Sequence, residues 1–391
     1  MAGHREPGGR RGDVSVHELR IAEPAALGPE SLDEHVLPHL QDEGWAPQPA
    51  DVNRTPRIGM VFGAGGVLGN AYLSGAAVAL WEAAEFQPRT ASVLVGTSAG
   101  SVHAALYGAG LPAHFGLWRT RGGRLPDRVM GAAGGPDPGE SQTLKDIFTP
   151  ARALPRIGPQ ARGLALRSLL QPWRMRPEVM LTAWLPEGMF TNIAIGQALQ
   201  RVVPSGWAPH PRTWITALNL RTGHRDVFGR MDAPRAHLDR AVRASCAIPG
   251  LYRPVKIGRD RYVDGGMHSP SNADLVADLD LDLVVIINPM SSLEGHAAAG
   301  FVDRYLYPLR RMAERRLAAE LRVLSERDVP TLVIQPQARD LAVFSRNLMD
   351  SRPRRSVAET AVETTLELLE RPEHDAALTT LRLAARRAAS A

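Results

Sequence analysis

The clearest pattern of apolar and polar positions lies around Ser98. The aliphatic run Val93 to Val95 predicts a buried strand, and apolar positions at helical spacing continue from Ser101 to Tyr107. Between them, Gly96-Thr-Ser-Ala-Gly100 takes the chain from strand to helix through a turn of small residues. A serine in this G-x-S-x-G setting lies on a sharp turn that presents its hydroxyl at the end of a sheet. Ser98 is therefore a candidate nucleophile, although a glycine-rich turn whose serine merely caps the helix would contain the same residues.

Apolar runs and helical periodicity alternate along most of the chain. Further strands are predicted at 57–62, 213–220, 226–228, 255–263 (a hairpin), 282–288 and 331–335. Further helices are predicted at 71–84, 189–203, 238–244 and 303–327. Strands that alternate with helices favour an α/β layer fold with a largely parallel central sheet.

Composition divides the chain into a main domain and less regular parts. Residues 1–55 are rich in proline, glycine and charge, so we expect a polar N-terminal extension. Residues 57–290 contain most predicted strands and form the expected main domain. Within it, 119–186 contain eleven basic and five acidic residues, which indicates a basic insertion or lid. Residues 291–391 are expected to be mostly helical, with one further strand.

Charge and cysteine content restrict the possible functions. The 46 basic and 41 acidic residues give a net charge of +5, which does not require a nucleic-acid partner. A single cysteine, Cys246, excludes an intrachain disulfide and a cysteine-based metal site. The first 20 residues contain no apolar signal-peptide core, and no apolar run reaches the length of a membrane span. We therefore expect a cytoplasmic protein without a metal.

The glycine-rich segment Gly63-Ala-Gly-Gly-Val-Leu-Gly69 follows a predicted strand and precedes a helix, as a nucleotide-binding loop does. It lacks the dinucleotide fingerprint because its sixth position is Leu68, and no P-loop Lys-Ser/Thr pair follows Gly69. Successive flexible amides beside a helix N-terminus can instead donate hydrogen bonds to a developing oxyanion. We therefore expect no cofactor at this loop.

A carboxylate followed by two glycines ends another predicted strand, in Arg261-Tyr-Val-Asp-Gly-Gly-Met267. Asp-Gly is a frequent turn dipeptide, so Asp264 could serve only as a turn residue. Within hydrogen-bond distance of a serine hydroxyl, the same carboxylate would act as a general base. The residues alone leave both interpretations open.

Together these segments resemble the patatin-like phospholipase family. The matching segments, in the family's order, are 63–69, 96–100, 244–249, 264–266 and Asn272. The resemblance covers roughly residues 57–290, and Asn347-Leu-Met-Asp350 is similar to a tail of some members. It implies a patatin-like three-layer α/β fold and a hydrolase that cleaves carboxylic esters of lipids through a Ser-Asp dyad.

The resemblance also implies a role for each matching residue. Ser98 would be the nucleophile and Asp264 its base, while Gly65 and Gly66 would supply the oxyanion amides. The motif glycines would be Gly63, Gly69, Gly96, Gly100, Gly265 and Gly266. The chain departs from the family at Leu68, because an arginine or lysine usually precedes the last glycine of the loop.

Histidines are the main competitors of the dyad. His103 follows Ser98 by five residues, about 140° around an ideal helix, so we expect it to face away from the serine. His268 lies near Asp264 in sequence, and His296 and His374 would keep the order Ser, Asp, His of an α/β-hydrolase triad. A Ser-His-Asp esterase, an acyltransferase with the same turn, or a catalytically weak lipid-binding protein remain alternatives.

The insertion at 119–186 suggests a second partner besides the lipid ester substrate. Its segment 161–174 mixes leucines with arginines and Trp173, a composition typical of helices that lie in a membrane interface. The alternative is a solvated lid whose leucines pack on the sheet and whose arginines reflect genome composition.

Overall fold

The computed structural model describes residues 54–124, 139–152, 154–156, 158–204, 206–291 and 301–390, with only the backbone described for Ser141 and 301–309. The expected N-terminal extension, apart from residues 54 and 55, lies outside the described residues. Residues 125–138 of the basic insertion and His296 also lie outside them.

Strands and helices alternate through the described part of the chain, as the sequence predicts. The strands are β1 (Ile58–Phe62), β2 (Val93–Thr97), β3 (Thr149–Pro150), β4 (Phe190–Thr191), β5 (Thr213–Asn219), β6 (Arg225–Phe228), β7 (Val255–Ile257), β8 (Asp260–Asp264), β9 (Leu283–Ile287) and β10 (Thr331–Ile334). The helices are α1 (Gly66–Ala84), α2 (Ala99–Gly108), α3 (Phe115–Thr120), α4 (Gly139–Asp146), α5 (Arg162–Leu170), α6 (Pro177–Trp184), α7 (Ile193–Val202), α8 (Leu238–Ser245), α9 (Phe301–Ser325), α10 (Ala338–Val343), α11 (Arg354–Leu369) and α12 (Asp375–Ser390). Short 3₁₀ helices lie at 88–90, 172–174, 265–267, 273–276 and 372–374.

Eight strands form one mixed sheet in which β10, β9, β1, β2 and β5 follow one another, β5 also pairs with β6 and β8, and β7 pairs with β8. The strands from β10 to β5 are parallel, while β6, β7 and β8 pair antiparallel with their neighbours. The predicted α/β fold with a largely parallel sheet is therefore confirmed. β3 and β4 form a separate two-stranded ladder.

Side chains of β1 show why the sheet is covered on both faces. Ile58, Met60 and Phe62 point into a core shared with α1, α2, α8, α11 and α12. Val61 points to the opposite face, into a core shared with α9. The alternation of side chains along a strand thus gives a three-layer arrangement of helices, sheet and helices.

The basic insertion also packs on the sheet. Leu164 of α5 and Val179 of α6 belong to a buried cluster with Leu218 and Val263 of the central strands. The C-terminal part contributes β10 to the edge of the sheet beside β9. Its helix α11 crosses α1 closely, because a Cβ at Gly75 would lie 2.2 Å from the carbonyl oxygen of Ala358.

Two strands meet end to end along one edge of β5. Thr97, the last residue of β2, pairs with Thr216, and Asp264, the last residue of β8, pairs with the next residue, Ala217. β6 pairs with the same stretch of β5 and must occupy its other edge, since a strand has only two edges. The C-terminal ends of β2 and β8 therefore face each other.

Candidate active site

Ser98 lies directly after β2, in the turn that leads into α2. Its backbone has φ 51° and ψ −119°, a conformation that residues other than glycine rarely adopt. The turn is tight, because a Cβ at Gly100 would lie 2.0 Å from the carbonyl oxygen of Phe62 and one at Gly96 would lie 2.5 Å from the Gly100 oxygen. Both glycines of the motif are thus required by close backbone approach, and the strained turn fixes the direction of the serine side chain.

Asp264 accepts a hydrogen bond from the hydroxyl of Ser98, with 2.7 Å between Ser98 Oγ and Asp264 Oδ2. The second oxygen of the carboxylate, Oδ1, accepts the amide of Gly266 at 2.8 Å. Gly265 and Gly266 begin the 3₁₀ helix that follows the strand, so both oxygens of the carboxylate are held. Ser98 and Asp264 are each 5% exposed.

Burial raises the pKa of Asp264 to about 7. The hydrogen bonds from Ser98 and from the Gly266 amide favour the ionised form and oppose this shift, but they do not cancel it. The carboxylate therefore changes its charge near neutral pH. This is the range in which a general base is most effective.

Three side chains hold the backbone of Ser98 in place. The Ser98 amide donates to the hydroxyl of Ser245 at 2.8 Å. Its carbonyl accepts the hydroxyl of Ser101 at 2.6 Å and the thiol of Cys246 at 3.2 Å. Sequence reasoning missed the contacts of Ser101 and Ser245, and the segment 244–249 signalled the location of Ser245 but not its role.

A buried hydrogen-bond network connects the segment after Asp264 with the strand before Ser98. The side-chain amide of Asn272 donates to the hydroxyl of Thr97 at 3.0 Å, and the hydroxyls of Thr97 and Thr216 lie 2.9 Å apart. The Asn272 carbonyl oxygen accepts Arg225 at 2.8 Å. Asn272 is fully buried and has a left-handed backbone conformation, with φ 57°. Its side-chain hydrogen bonds connect the segment after Asp264 with the strand before Ser98.

The glycine-rich loop lies between β1 and α1, and Gly63 and Gly69 flank it. Its amides at Ala64 and Leu68 donate to the carbonyls of Pro270 and Leu348, at 2.8 and 3.0 Å. The amides of Gly65 and Gly66 donate to no acceptor among the described residues. Gly66, the first residue of α1, lines the same cavity as Ser98, and Gly65 directly precedes it.

Leu68, where the family usually has a cation, is completely buried in the main core. Its amide is bonded to Leu348 O, and a Cβ at Gly66 would lie 3.0 Å from the same oxygen. The segment 347–350 therefore packs directly on the glycine-rich loop. At this position the chain has a core side chain where the family usually has a charged one.

Ser98 opens onto a cavity of about 190 Å³ between α1, α2, α3, α4 and α7. Its walls are mainly apolar and include Val102, Leu106, Phe115, Leu199, Ile248 and Tyr252. Such a cavity matches the hydrocarbon part of a lipid better than a polar substrate.

None of the described histidines bonds to the Ser98 hydroxyl or to the Asp264 carboxylate. His103 lines the same cavity as Ser98 but forms no hydrogen bond with it, so the expectation that it faces away from the serine stays a prediction. Its ring bonds instead to Ser74 at 3.1 Å and to Ala99 O at 3.4 Å, and burial lowers its pKa to about 4. Burial and the charge of Arg225 lower the pKa of His268 to about 3.

His374 lies 4.0 Å from Glu373 in the 3₁₀ helix 372–374. Groups of three or more potential metal ligands are absent from the described residues. Within the same residues, no helix has both the length and the apolar character needed to cross a membrane. The cytoplasmic location stays a prediction.

The fold, the strained serine turn and the apolar cavity define an α/β protein of the lipid acyl hydrolase type. The family model of patatin-like phospholipases matches residues 60–277, more than half of the 391-residue chain, and the chain belongs to this family. Family membership supports lipid acyl hydrolase activity in general. No curated protein matches the chain.

The raised pKa of Asp264 predicts a specific pH dependence of stability. An unfolded aspartate titrates near pH 3.9, so between about pH 4 and pH 7 the folded state keeps a proton that the unfolded state has lost. This group therefore lowers the free energy of unfolding as the pH rises through that window. Asp264→Asn lacks this contribution. As the pH is raised from about 4 to 7, the free energy of unfolding of the variant should therefore increase relative to that of wild type by as much as about 4 kcal/mol, and the difference should stay constant above pH 7.

Urea unfolding of both proteins between pH 4 and 8.5 measures this difference, because the other titrating groups are common to the two proteins. A difference that does not change with pH would show that Asp264 ionises at its ordinary pKa in the folded protein.

Proposed function

We propose that the chain hydrolyses carboxylic esters of lipids through a catalytic dyad of Ser98 and Asp264. The observation that carries this proposal is the 2.7 Å hydrogen bond from the Ser98 hydroxyl to the buried Asp264 carboxylate. A Ser-His-Asp triad has less support. The ring of His103 is hydrogen-bonded to Ser74, and burial lowers the pKa of both His103 and His268, which makes them weak bases.

The reaction begins when ionised Asp264 accepts the proton of Ser98 and the serine oxygen attacks the ester carbonyl. The resulting oxyanion accepts hydrogen bonds from the amides of Gly65 and Gly66. Return of the proton from Asp264 to the leaving oxygen releases the alcohol and leaves an acyl group on Ser98. Asp264 then takes a proton from water, which attacks the acyl-enzyme, and returns that proton to the Ser98 oxygen as the fatty acid leaves, which restores the dyad.

The cavity explains how the ester would be oriented for this attack. Val102, Leu106 and Phe115 line it close to the helix that follows Ser98, so an acyl chain placed there brings its carbonyl towards the serine. Burial of the chain contributes about 0.8 kcal/mol for each CH₂ group removed from water. The same side chains exclude water from the dyad until the alcohol has left.

Substitutions in the dyad should abolish hydrolysis. Ser98→Ala and Asp264→Asn should each lower kcat by about 10⁴ to 10⁶, which is the cost of removing a nucleophile or its base in serine hydrolases. His103→Ala and His268→Ala should cost much less. Mass-spectrometric detection of fatty acid released from a phospholipid and triglyceride panel measures the activity, and fluorophosphonate labelling reports whether Ser98 is nucleophilic.

If either histidine variant were as inactive as Ser98→Ala, the proposed dyad would be wrong and a triad would be supported. Absence of labelling in the folded wild-type protein would instead favour a lipid-binding protein that lacks catalysis.

The glycine-rich loop can be tested separately from the core. Gly66 has φ 64°, and any side chain there meets the carbonyl of Leu348, so Gly66→Val should displace the amide and lower kcat by about 10² to 10³. Leu68→Ala should instead lower the free energy of unfolding by about 2–5 kcal/mol, because it leaves a cavity in the core. Its kcat per folded molecule should stay near that of wild type.

Thermal unfolding and active-site titration by fluorophosphonate distinguish the two effects. Equal kcat losses in both variants would mean that the loop acts through side-chain packing and not through its amides.

We also propose that the insertion 119–186 contacts the membrane surface. Seven of the thirteen large apolar side chains exposed in the described residues lie in this insertion, between 154 and 184. On α5, Leu164 is buried, whereas Leu169 and Leu170 are each 64% exposed, and Trp173 just beyond them is 78% exposed. Arg162, Arg167 and Arg174 flank this apolar face, which suits insertion among anionic headgroups.

The membrane contact predicts a selective loss of vesicle binding. Leu169→Ser/Leu170→Ser/Trp173→Ser should reduce co-sedimentation with phosphatidylglycerol vesicles at least tenfold, because three inserting side chains are lost. The matched control Met231→Ser/Leu383→Ser removes exposed apolar side chains elsewhere and should bind as wild type does. Salt-independent binding, or equal losses in both variants, would contradict a contact through α5 and its neighbourhood.

A further inference from the structure

A buried carboxylate that the proposed mechanism does not use lies on α9, behind the segment that follows Asp264. Glu320 is 7% exposed, and its Oε2 accepts the hydroxyl of Ser271 at 2.5 Å. The same oxygen accepts the amide of Ala273 at 2.9 Å. Glu320 lies outside residues 60–277, the part of the chain that matches the family model. A helix of the C-terminal part therefore holds two residues of the segment after the proposed base.

The bond to the Ala273 amide takes the place of a helix cap. Ala273 begins the 3₁₀ helix 273–276, and Asn272 precedes it. An asparagine at this position usually accepts an amide of the first turn with its own side-chain oxygen. The Asn272 side chain makes no such bond, and the first-turn amide of Ala273 donates to Glu320 instead. Because α9 supplies the cap, the Asn272 side chain is available to bond Thr97, the last residue of β2.

The bond to the Ser271 hydroxyl holds the part of the segment that contacts the glycine-rich loop. Ser271 follows Pro270, whose carbonyl accepts the Ala64 amide at 2.8 Å. Ala64 directly precedes Gly65 and Gly66, the proposed oxyanion donors. A displacement of Ser271 would therefore move the carbonyl on which the start of this loop rests.

Glu320 thus reaches both halves of the site through one short segment. Residues 270–272 contact the glycine-rich loop on one side and the strand before the serine on the other. Arg225 of β6 holds the next part of the chain, since it donates to Asn272 Oδ1 and through two bonds to Asp274. The side chain of residue 271 is fixed by Glu320 on the α9 side of the sheet.

A carboxylate in this place is energetically unfavourable unless it has a specific use. Within the described part of the chain, Glu320 forms no salt bridge, and burial together with the charge of Asp274 raises its pKa. The bonds from Ser271 and from the Ala273 amide oppose this shift. Core packing alone would be satisfied by an apolar side chain, which carries no desolvation cost.

We infer that Glu320 is a positioning residue for the proposed reaction, because it fixes residues 271–273 and through them both the oxyanion amides and the serine turn. It does not line the cavity of Ser98, so it acts on the reaction only through that segment. The inference rests on the proposed hydrolysis, but the positioning itself can be measured without a substrate.

Two substitutions separate the acceptor from its charge. Glu320→Leu removes the acceptor and keeps a side chain of comparable size, and we expect it to lower kcat by about 10² with KM unchanged, because a small displacement of oriented groups has a large effect on rate. Glu320→Gln keeps an oxygen that can accept both bonds, so its kcat should stay near that of wild type. Hydrolysis of a short-chain ester, with the concentration of folded enzyme taken from fluorophosphonate titration, measures both constants.

Asp340 provides a matched control, because it forms the same kinds of bond away from the site. It is completely buried on α10 and accepts the hydroxyl of Thr364 at 2.9 Å and the amide of Gln337 at 2.8 Å. Asp340→Leu should lower the thermal unfolding temperature as Glu320→Leu does, but should leave kcat per folded molecule unchanged. Equal kcat losses in the two leucine variants would overturn the inference, and so would a Glu320→Gln protein as slow as Glu320→Leu.

Amide hydrogen exchange followed by mass spectrometry measures the positioning without a substrate. In Glu320→Leu, peptides that cover 63–70 and 264–276 should exchange about tenfold faster than in wild type, because local opening of both segments becomes easier. Peptides from α10 and α11 should keep their wild-type rates. Asp340→Leu should show the reverse pattern. Unchanged exchange of 63–70 in folded Glu320→Leu would contradict a link between α9 and the glycine-rich loop.

Ser271→Ala serves the same test if Glu320→Leu does not fold, because it removes one of the two donors to the carboxylate and nothing from α9. It should lower kcat by about tenfold and accelerate exchange of 63–70. Wild-type kcat and exchange in this variant would overturn the inference. If wild type cleaves no ester, the proposed hydrolysis fails, while the exchange rates still decide whether Glu320 positions the loop.

Discussion

The contact between Ser98 and Asp264 depends on how strands pair along one edge of β5. β2 approaches this edge in parallel and β8 in antiparallel orientation, so both strands end at neighbouring residues, Thr216 and Ala217. Hydrogen bonding of the sheet therefore fixes the separation of the two side chains, whichever loops connect them. The network of Thr97, Thr216 and Asn272 stiffens the same junction with side chains. A serine and a carboxylate are held together by the sheet itself, on elements more rigid than loops.

The second constraint is electrostatic. Asp264 is buried without a cation, and the polar groups that contact it are the Ser98 hydroxyl and one backbone amide. This environment keeps the carboxylate basic, which a salt bridge to arginine would prevent. In a chain with so many arginines, the absence of an ion pair at Asp264 among the described residues is itself a feature of the site.

Local patterns predicted what depends on neighbouring residues. The strand, turn and helix around Ser98 could be predicted because an aliphatic run, a turn of small residues and helical spacing follow one another within fifteen positions. The partner of Ser98 could not be predicted from such patterns, since β2 and β8 meet only through β5. The residues left Asp264 open as a base or a turn residue, and only the family resemblance paired it with Ser98. The contacts of Ser245 and Ser101, and the burial of Leu68, depend on tertiary packing and left no distinct signal.

The contact of Leu348 with the glycine-rich loop has a consequence for the order in which the protein matures on the ribosome. The loop is made well before the segment 347–350, whose Leu348 carbonyl holds the Leu68 amide. Until that segment emerges, the nascent chain has a serine turn and a sheet but lacks the support that fixes the loop beside the serine. The glycine-rich loop would therefore reach its final position beside Ser98 only after the segment 347–350 has been made and has docked.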